Sequence, residues 1–358
     1  MGSPSRSGSH AHRSDTETVS AQVELKFGDT MVTSSSEVTG APTSKIMIQP
    51  ADAGRLWAQI GPLIDRDLET LTPDEFVDLA FEVIPLLPPE LRRRILEFRR
   101  RAPDGDVLLV RGLVPGDVDF GPSVTSQVAP LTGPAQTAAL LLIGITLLLG
   151  EPFNYTSLWN GRLVQNMVPV PGKEYSQTSQ SSTGMLDWHV EDGFRDDRCD
   201  YAALLCLRGD PVGASKYCQA RDLRLSPETV AILRQERFQM RPDTAHILTG
   251  EPPIRHLAVL TGPESAPEIC YDMHGLTPLD DADTEAAGAI RELRACVDEA
   301  QISHVMEKGD LLMFDNRRVV HARGPFTARF DGTDRWLIRA MICGSAVTFR
   351  RWGRRIPD

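Results

Sequence analysis

Trp188-His189-Val190-Glu191-Asp192 and, about 130 residues later, Asn316-Arg317-Arg318-Val319-Val320-His321 are the two strings on which the reading of this chain turns. Side chains alternate between the faces of a strand with a period of two. On a strand, His189 and Glu191 share one face and Val190 takes the other. His321 then completes a set of two imidazoles and one carboxylate, the facial triad that binds Fe(II) and keeps positions open for a cosubstrate and oxygen. Arg335 and Arg339, in Asp334-Arg335-Trp336-Leu337-Ile338-Arg339, follow His321 by fourteen and eighteen residues. On a strand they share a face at a Cα separation of roughly 13 Å. Two inward guanidiniums beside a metal point to carboxylate ligands, which Arg grips as a bidentate fork.

A lone H-x-E pair occurs by chance in many proteins, mostly on surfaces; the ordered set with the distant His and the two arginines is far more specific. A structural zinc site is the main metal alternative, but it closes its shell with four protein ligands, often Cys. The six cysteines (Cys199, Cys206, Cys218, Cys270, Cys296, Cys343) form no C-x-x-C pair. The bland reading of the arginines is a surface ion pair with Asp331 or Asp334. The run Arg335, Leu337, Arg339, Met341 alternates with Trp336, Ile338, Ala340, Ile342, a strand covered on both sides, which disfavours surface arginines. A buried Arg needs an anionic partner, and a ligand supplies one.

The chain resembles the Fe(II)/2-oxoglutarate-dependent oxygenases of the clavaminate-synthase-like family, which include arginine β-hydroxylase, asparagine oxygenase and free-lysine hydroxylases. The resemblance rests on Gly161–Pro169, Ser176–Ser179, Trp188–Phe194, Leu205–Arg208, Asp315–His321 and Arg329–Leu337, and spans roughly residues 50 to 345. It implies a mixed α+β fold, a double-stranded β-helix (jelly roll) core buttressed by helices, and the helices gathered in the N-terminal half suit a covering of one face. It implies Fe(II), 2-oxoglutarate and O2 as cofactors, with decarboxylation of 2-oxoglutarate coupled to hydroxylation of a substrate carbon. His189, Glu191 and His321 match the metal ligands. A carboxylate at 191 implies hydroxylation, since related halogenases have Gly or Ala there. Arg335 matches the residue that holds the distal carboxylate of 2-oxoglutarate, and Arg339 the one that holds the substrate's α-carboxylate.

Substrate residues carry over less fully. Ser179 matches a position that contacts the substrate amine, with Glu191 nearby, although Ser176, Ser181 and Ser182 make it one loop serine among several. Two acids grip the guanidinium in the arginine enzyme; here Tyr271-Asp272-Met273-His274 keeps Asp272 and replaces the second with His274. Leu158-Trp159 stands where that enzyme has two glutamines. A buried cation with one carboxylate partner is costly. The expected substrate is therefore a small, neutral or cyclic free L-amino acid, proline- or pipecolate-like, with Trp159 packing on its ring. The expected position is C3, in specialised-metabolite biosynthesis.

At 358 residues, with 41% hydrophobic and 24% charged side chains, the chain can bury a sizeable core. A net charge of −11 argues against nucleic acid as partner, which needs a basic face. The longest apolar run, Ala138 to Gly150, is too short to span a bilayer. A polar N-terminus without an apolar h-region, and cysteines without a compact framework, fit a reducing cytoplasm. Composition leaves the oligomeric state open.

Residues 1–46, rich in Ser, Thr, Gly and His, read as a disordered segment. Residues 47–358 read as a single catalytic jelly-roll domain with helical insertions. Thr72-Pro73-Asp74-Glu75 opens a helix with a capping box and carries Phe76, Leu79, Ala80 and Val83 inward. Further helices are expected over Glu90–Arg100, Thr137–Leu149, from Ser226, and Asp283–Ala300, with strands at Val107–Leu113, Asp310–Phe314 and Trp336–Met341. Three alternatives stay open: an oxygenase, desaturase or cyclase acting on a carrier-tethered aminoacyl group or a basic amino acid; a non-catalytic metal-binding jelly roll; and a zinc hydrolase. The last is disfavoured by the lack of H-E-x-x-H. A thioester would leave Arg339 without a partner.

Overall fold

Two long strands that are apolar on both faces organise the molecule. Tyr201–Arg208 and Trp336–Cys343 are buried along nearly their whole length and pair antiparallel, Ile338 opposite Leu205 and Ala340 opposite Ala203. The computed structural model describes residues 44–100, 105–248 and 254–356, which lie in one compact unit.

In chain order the strands are β1 (Ser44–Met47), β2 (Val107–Arg111), β3 (Glu151–Tyr155), β4 (Gln165–Met167), β5 (Leu186–His189), β6 (Tyr201–Arg208), β7 (Ser215–Gln219), β8 (Phe238–Met240), β9 (Arg255–Leu257), β10 (Leu260–Thr261), β11 (Glu268–Ile269), β12 (Leu276–Pro278), β13 (Ile302–His304), β14 (Leu311–Asp315), β15 (Val319–Arg323), β16 (Trp336–Cys343) and β17 (Arg355–Ile356). The helices are α1 (Pro50–Ile60), α2 (Pro73–Phe81), α3 (Pro89–Arg99), α4 (Pro134–Thr146), α5 (Pro227–Leu233), α6 (Thr284–Glu299) and α7 (Ala346–Trp352). The major sheet runs β1-β2-β14-β6-β16-β3-β17, with β4 also on β16; the minor sheet runs β13-β7-β15-β5. A small sheet, β12-β8-β9, and the hairpin β10-β11 complete the strands.

Period-two alternation divides the core into layers. Leu108, Val110, Ala203, Leu205, Leu311, Met313, Trp336, Ile338 and Ala340 face the helical layer built from α1 to α4. Their neighbours Val107, Leu109, Ala202, Leu204, Leu312, Phe314 and Leu337 face the other way, towards Tyr217 and Val319 of the minor sheet. The outer face of the minor sheet is apolar too, with Trp188, Cys218, Val320 and Ala322, and it packs on α5, α6 and the small sheet. Helices therefore cover both outer faces, not one as the sequence suggests. This is the expected jelly roll, with a space between its two sheets.

Local signals account for the elements. Thr72 and Glu75 form the reciprocal capping box, Ser226 caps α5 and Asp283 caps α6. Leu91, Ile95 and Phe98 are the buried stripe of α3; Leu293 and Val297 that of α6, with Ile290 partly buried beside them. Helix α4 begins three residues before the expected start. Gly133, at φ 52, turns the chain and Pro134 takes the first helical position. Buried on almost every side, α4 shows no amphipathic period from which its bounds could be read. The expected disordered segment 1–46 lies outside the described residues except for Ser44 to Ile46, which belong to β1 and pair in parallel with β2.

Among the described residues no helix is long and apolar enough to cross a membrane, and the six cysteines are free. Burial raises the Cys206 and Cys218 thiols to about 12, and pushes Cys199 and Cys343 upward as well.

Gly144 brings α4 against α2: a Cβ there would lie 2.5 Å from Val83 Cβ and 3.0 Å from the Ala80 carbonyl oxygen. Gly144→Ala gains helix propensity of about 1 kcal/mol, but overpacking costs about 1–3 kcal/mol and neither neighbour is the end of a flexible side chain. The variant should unfold at lower urea concentration with an unchanged slope. A midpoint at or above that of the unaltered protein would contradict this packing.

Candidate active site

His189 and His321 face each other across the minor sheet. They form a register pair between β5 and β15, with ring centroids 4.2 Å apart. Strand β5 ends at His189, so Glu191 stands in the following turn, not on the strand. The chain nonetheless stays extended through Val190, whose N–H donates to the Tyr271 carbonyl, while the Val190 side chain packs with Trp188 on the far side. The expected facing of His189 and Glu191 therefore holds one residue beyond the ladder. Asn316 fixes the turn: its Oδ1 accepts from the Glu191 N–H at 2.8 Å, and its Nδ2 donates to the Glu191 and Cys199 carbonyls at 3.0 and 3.1 Å.

The candidate ligand atoms of His189, Glu191 and His321 all lie within 4.8 Å of one another. Their chemistry fits a divalent metal. His189 Nδ1 is 2.7 Å from the Asp187 carbonyl, which only accepts, so Nδ1 carries the hydrogen and Nε2 offers a lone pair. Burial, with His189 and Arg339 nearby, lowers His321 to about 4 against the pull of Glu191, so its ring is neutral at pH 7, with one nitrogen offering a lone pair. Burial alone would raise the Glu191 carboxyl; Arg339, His321 and His189 outweigh it and hold the group well below the usual carboxylate range.

The arginines come from the major sheet. Arg339 Nη1 donates to Glu191 Oε2 at 2.6 Å, while Nε donates to Gln165 Oε1 at 3.1 Å and Nη2 to the same oxygen. Glu191 Oε1 is left on the His321 side, 3.4 Å from Nε2. Arg339 thus has protein partners of its own, and the expectation that a thioester substrate would strand it is not sustained. Arg335, just before β16, is buried. Among the described residues its one hydrogen bond goes to Ser215 Oγ at 3.1 Å, and neither Asp331 nor Asp334 pairs with it. Asp334 instead accepts from the Arg329 and Phe330 N–H groups. Burial lowers Arg335, partly offset by Cys206 and Asp210.

A cavity of about 280 Å³ joins these groups. All the residues singled out in the sequence line it: His189, Glu191, His321, Arg335, Arg339, Ser179, Asp272, His274, Trp159 and Leu158. Leu158 is buried on Phe153, Tyr155 and Met341. Trp159 and Asn160 occupy the left-handed region at φ 48 and 60, a strained turn beside the site. His274 is half-exposed and turned to Asp187, its Nε2 2.8 Å from Asp187 Oδ2. Asp272 Oδ1 accepts from the His274 N–H at 2.8 Å and from the Gly275 N–H.

Several lining groups escape the sequence reading. Arg323 stands two residues after His321, so the same alternation that places His321 could have found it. Its guanidinium donates to the Ser182, Gly184 and Gly324 carbonyls and to Ser181 Oγ. Burial, with Arg335 close by, lowers Arg323 to about 9. Asp243, in the loop after β8, lines the cavity, and Gln165, on β4, stands behind Arg339; neither carries a spacing signal.

Residues 104–341 match the family model described as "Taurine catabolism dioxygenase TauD, TfdA family". The chain belongs to this family. It is 34% identical over 283 residues to enduracididine β-hydroxylase of Streptomyces hygroscopicus, covering 72% of this chain and 82% of that protein. It is 37% identical over 277 residues to L-asparagine oxygenase of Streptomyces coelicolor, covering 75% and 80%. The solved structure of asparagine oxygenase with Fe(II), (2S,3S)-3-hydroxyasparagine and succinate superposes with a TM-score of 0.79 at 31% identity, covering 88% of this chain and 99% of that one. This TauD/TfdA member is an Fe(II)/2-oxoglutarate-dependent dioxygenase of the amino-acid hydroxylase type, with iron, 2-oxoglutarate and O2 as its cofactors.

Two outcomes check the site. His321→Ala or His189→Ala should abolish 2-oxoglutarate turnover, because two remaining ligands hold Fe(II) poorly; full succinate release by either variant would sink the ligand assignment. Asn316→Ala leaves three buried backbone groups unbonded, each worth about 1–3 kcal/mol. It should lower the melting temperature of metal-free protein and weaken Fe(II) affinity in a titration; unaltered melting would show that Asn316 does not hold the Glu191 turn.

Proposed function

We propose that the enzyme hydroxylates a free L-amino acid with a small, neutral or cyclic side chain, at C3. The supporting observation is that one small cavity joins the candidate triad to two buried arginines. Arg323 and Arg335 have no carboxylate partner among the described residues. This is the environment for the distal carboxylate of 2-oxoglutarate, matched by the bidentate fork of Arg335. His189, Glu191 and His321 would hold the iron, which when bound supplies the oxidising chemistry driven by 2-oxoglutarate and O2.

Beyond the triad, Arg339 lines the cavity, and Gln165 Oε1 behind it fixes the guanidinium, a donor suited to an α-carboxylate oxygen. With Ser179 and Glu191 at the amine, Cα lies beside the metal position, and the adjoining carbon is the one presented. Size favours a compact substrate: about 280 Å³ is at the lower edge of ordinary small-molecule pockets (roughly 300–1,000 Å³), and it must house two ligands. Apolar Leu158 and Trp159 suit a ring or methylenes.

One observation favours a second reading, a basic or cyclic-guanidine side chain. Asp187, Asp243 and Asp272 line the cavity, and burial, with Asp192 and Asp272, raises the Asp243 carboxyl. Against it, Asp187 is engaged by His274 and Asp272 Oδ1 by two backbone N–H groups.

A screen of free amino acids for succinate release and a gain of one oxygen by mass decides between them. Proline, pipecolate or neutral residues should be turned over; efficient turnover of L-arginine with none of these overturns the substrate assignment and leaves the iron chemistry standing. Arg335→Lys, which loses the fork, should raise the Michaelis constant for 2-oxoglutarate by about tenfold or more. An unchanged constant would remove Arg335 from its role.

A further inference from the structure

Ser157, His246 and Asp192 form a buried chain of hydrogen bonds beside the cavity. Ser157 Oγ is 2.8 Å from His246 Nδ1, and His246 Nε2 is 2.8 Å from Asp192 Oδ1. A carboxylate only accepts, so Nε2 carries a hydrogen, and the Ser157 hydroxyl can donate to Nδ1. The order Ser-His-Asp resembles a hydrolytic relay, but Ser157 and His246 are sealed from solvent and neither lines the cavity, so no substrate reaches the hydroxyl.

The chain's position suggests another role. Ser157 immediately precedes Leu158-Trp159, Asp192 immediately follows Glu191, and His246 immediately follows the wall segment Arg241–Ala245; all these flanking residues line the cavity. The His246 ring is wedged between Tyr155 and Phe194, with centroids 5.4 and 5.0 Å away. The wall segment is otherwise tied to the rest of the protein at its ends, through Arg241 N–H to the Gly275 carbonyl and Ile247 N–H to the Ser157 carbonyl. Among the described residues Asp243 bonds only within its own turn, accepting from the Ala245 and His246 N–H groups. Asp192 is held at φ 53, a conformation that persists only where its surroundings impose it.

We infer that His246 is a positioning residue: it clamps the 241–245 wall to the Glu191-Asp192 turn and to the Leu158-Trp159 turn, and so fixes where the substrate lies relative to the metal ligands. The inference rests on the reading that this cavity takes the amino acid, and the experiment separates the two. In hydrogen exchange of the full chain without ligands, His246→Ala should exchange about tenfold faster at residues 242–248, the effect of losing buried hydrogen bonds, with unchanged rates in β5 and β16. Exchange unchanged at 242–248, or rising equally everywhere, overturns the clamp whatever the substrate.

With an amino acid found active in the screen, His246→Ala should raise its Michaelis constant about tenfold and release more succinate per hydroxylated product. The constant for 2-oxoglutarate, bound at Arg335, should stay the same. Equal coupling and an unaltered amino-acid constant would overturn the positioning role. His246→Gln keeps a donor towards Asp192 and an acceptor towards Ser157, so it should restore both readouts to within roughly twofold. Should His246→Ala fail to fold, Ser157→Ala, which removes one of the two bonds, carries the same exchange and coupling tests, with smaller changes in the same direction expected. If no amino acid is turned over by the unaltered enzyme, the functional reading fails while the exchange result still decides the clamp.

Discussion

A buried carboxylate must meet a buried cation, and in this protein that requirement joins the two sheets. Glu191 comes from the turn after a minor-sheet strand, Arg339 from the central strand of the major sheet, and their contact closes the space between them. Removing either partner would leave an uncompensated buried charge, at a cost of about 3–5 kcal/mol. The same contact divides the carboxylate's work: one oxygen is committed to the guanidinium, the other turned to the imidazoles. The geometry of the candidate metal site is thus a by-product of how the sheets are held together.

Charge is also distributed along the cavity. Buried Arg323 and Arg335 have no carboxylate partner among the described residues, while Asp187, Asp243 and Asp272 line the same cavity. A dicarboxylate is attracted to the arginines and repelled by the aspartates, so small polar ligands of similar size are distinguished by charge. His274 offsets one of these acids by occupying Asp187.

Much of this was legible in the sequence, for identifiable reasons. Alternation in Trp336–Cys343 announced a strand buried on both faces, and it is one. The capping box at Thr72 and Glu75 and the N-cap at Ser226 were readable because their signals are local. The candidate triad and both arginines were readable because period-two spacing, carried past the end of β5 to Glu191 and ahead of β16 to Arg335, still brings them to one cavity. What could not be read arises from contacts between distant segments. Gln165 reaches Arg339 only because β4 pairs with β16, and His246 meets Asp192 across a long stretch of intervening chain. The helix α4 lost its period by being buried all round. Covering helices on the minor sheet were missed because that sheet's outer apolar face is assembled from strands scattered over the sequence.

The buried thiols have a consequence for how such an enzyme survives its own chemistry. Reactive oxygen species formed near the iron attack thiolates, and attack depends on the ionised fraction and on access. Cys199 and Cys206 flank the site, yet burial keeps both protonated and closed off. Self-inflicted oxidative damage should therefore fall on the iron and its ligands before these two cysteines. A reductant that restores an aged preparation would then be acting on the metal's oxidation state rather than on Cys199 or Cys206.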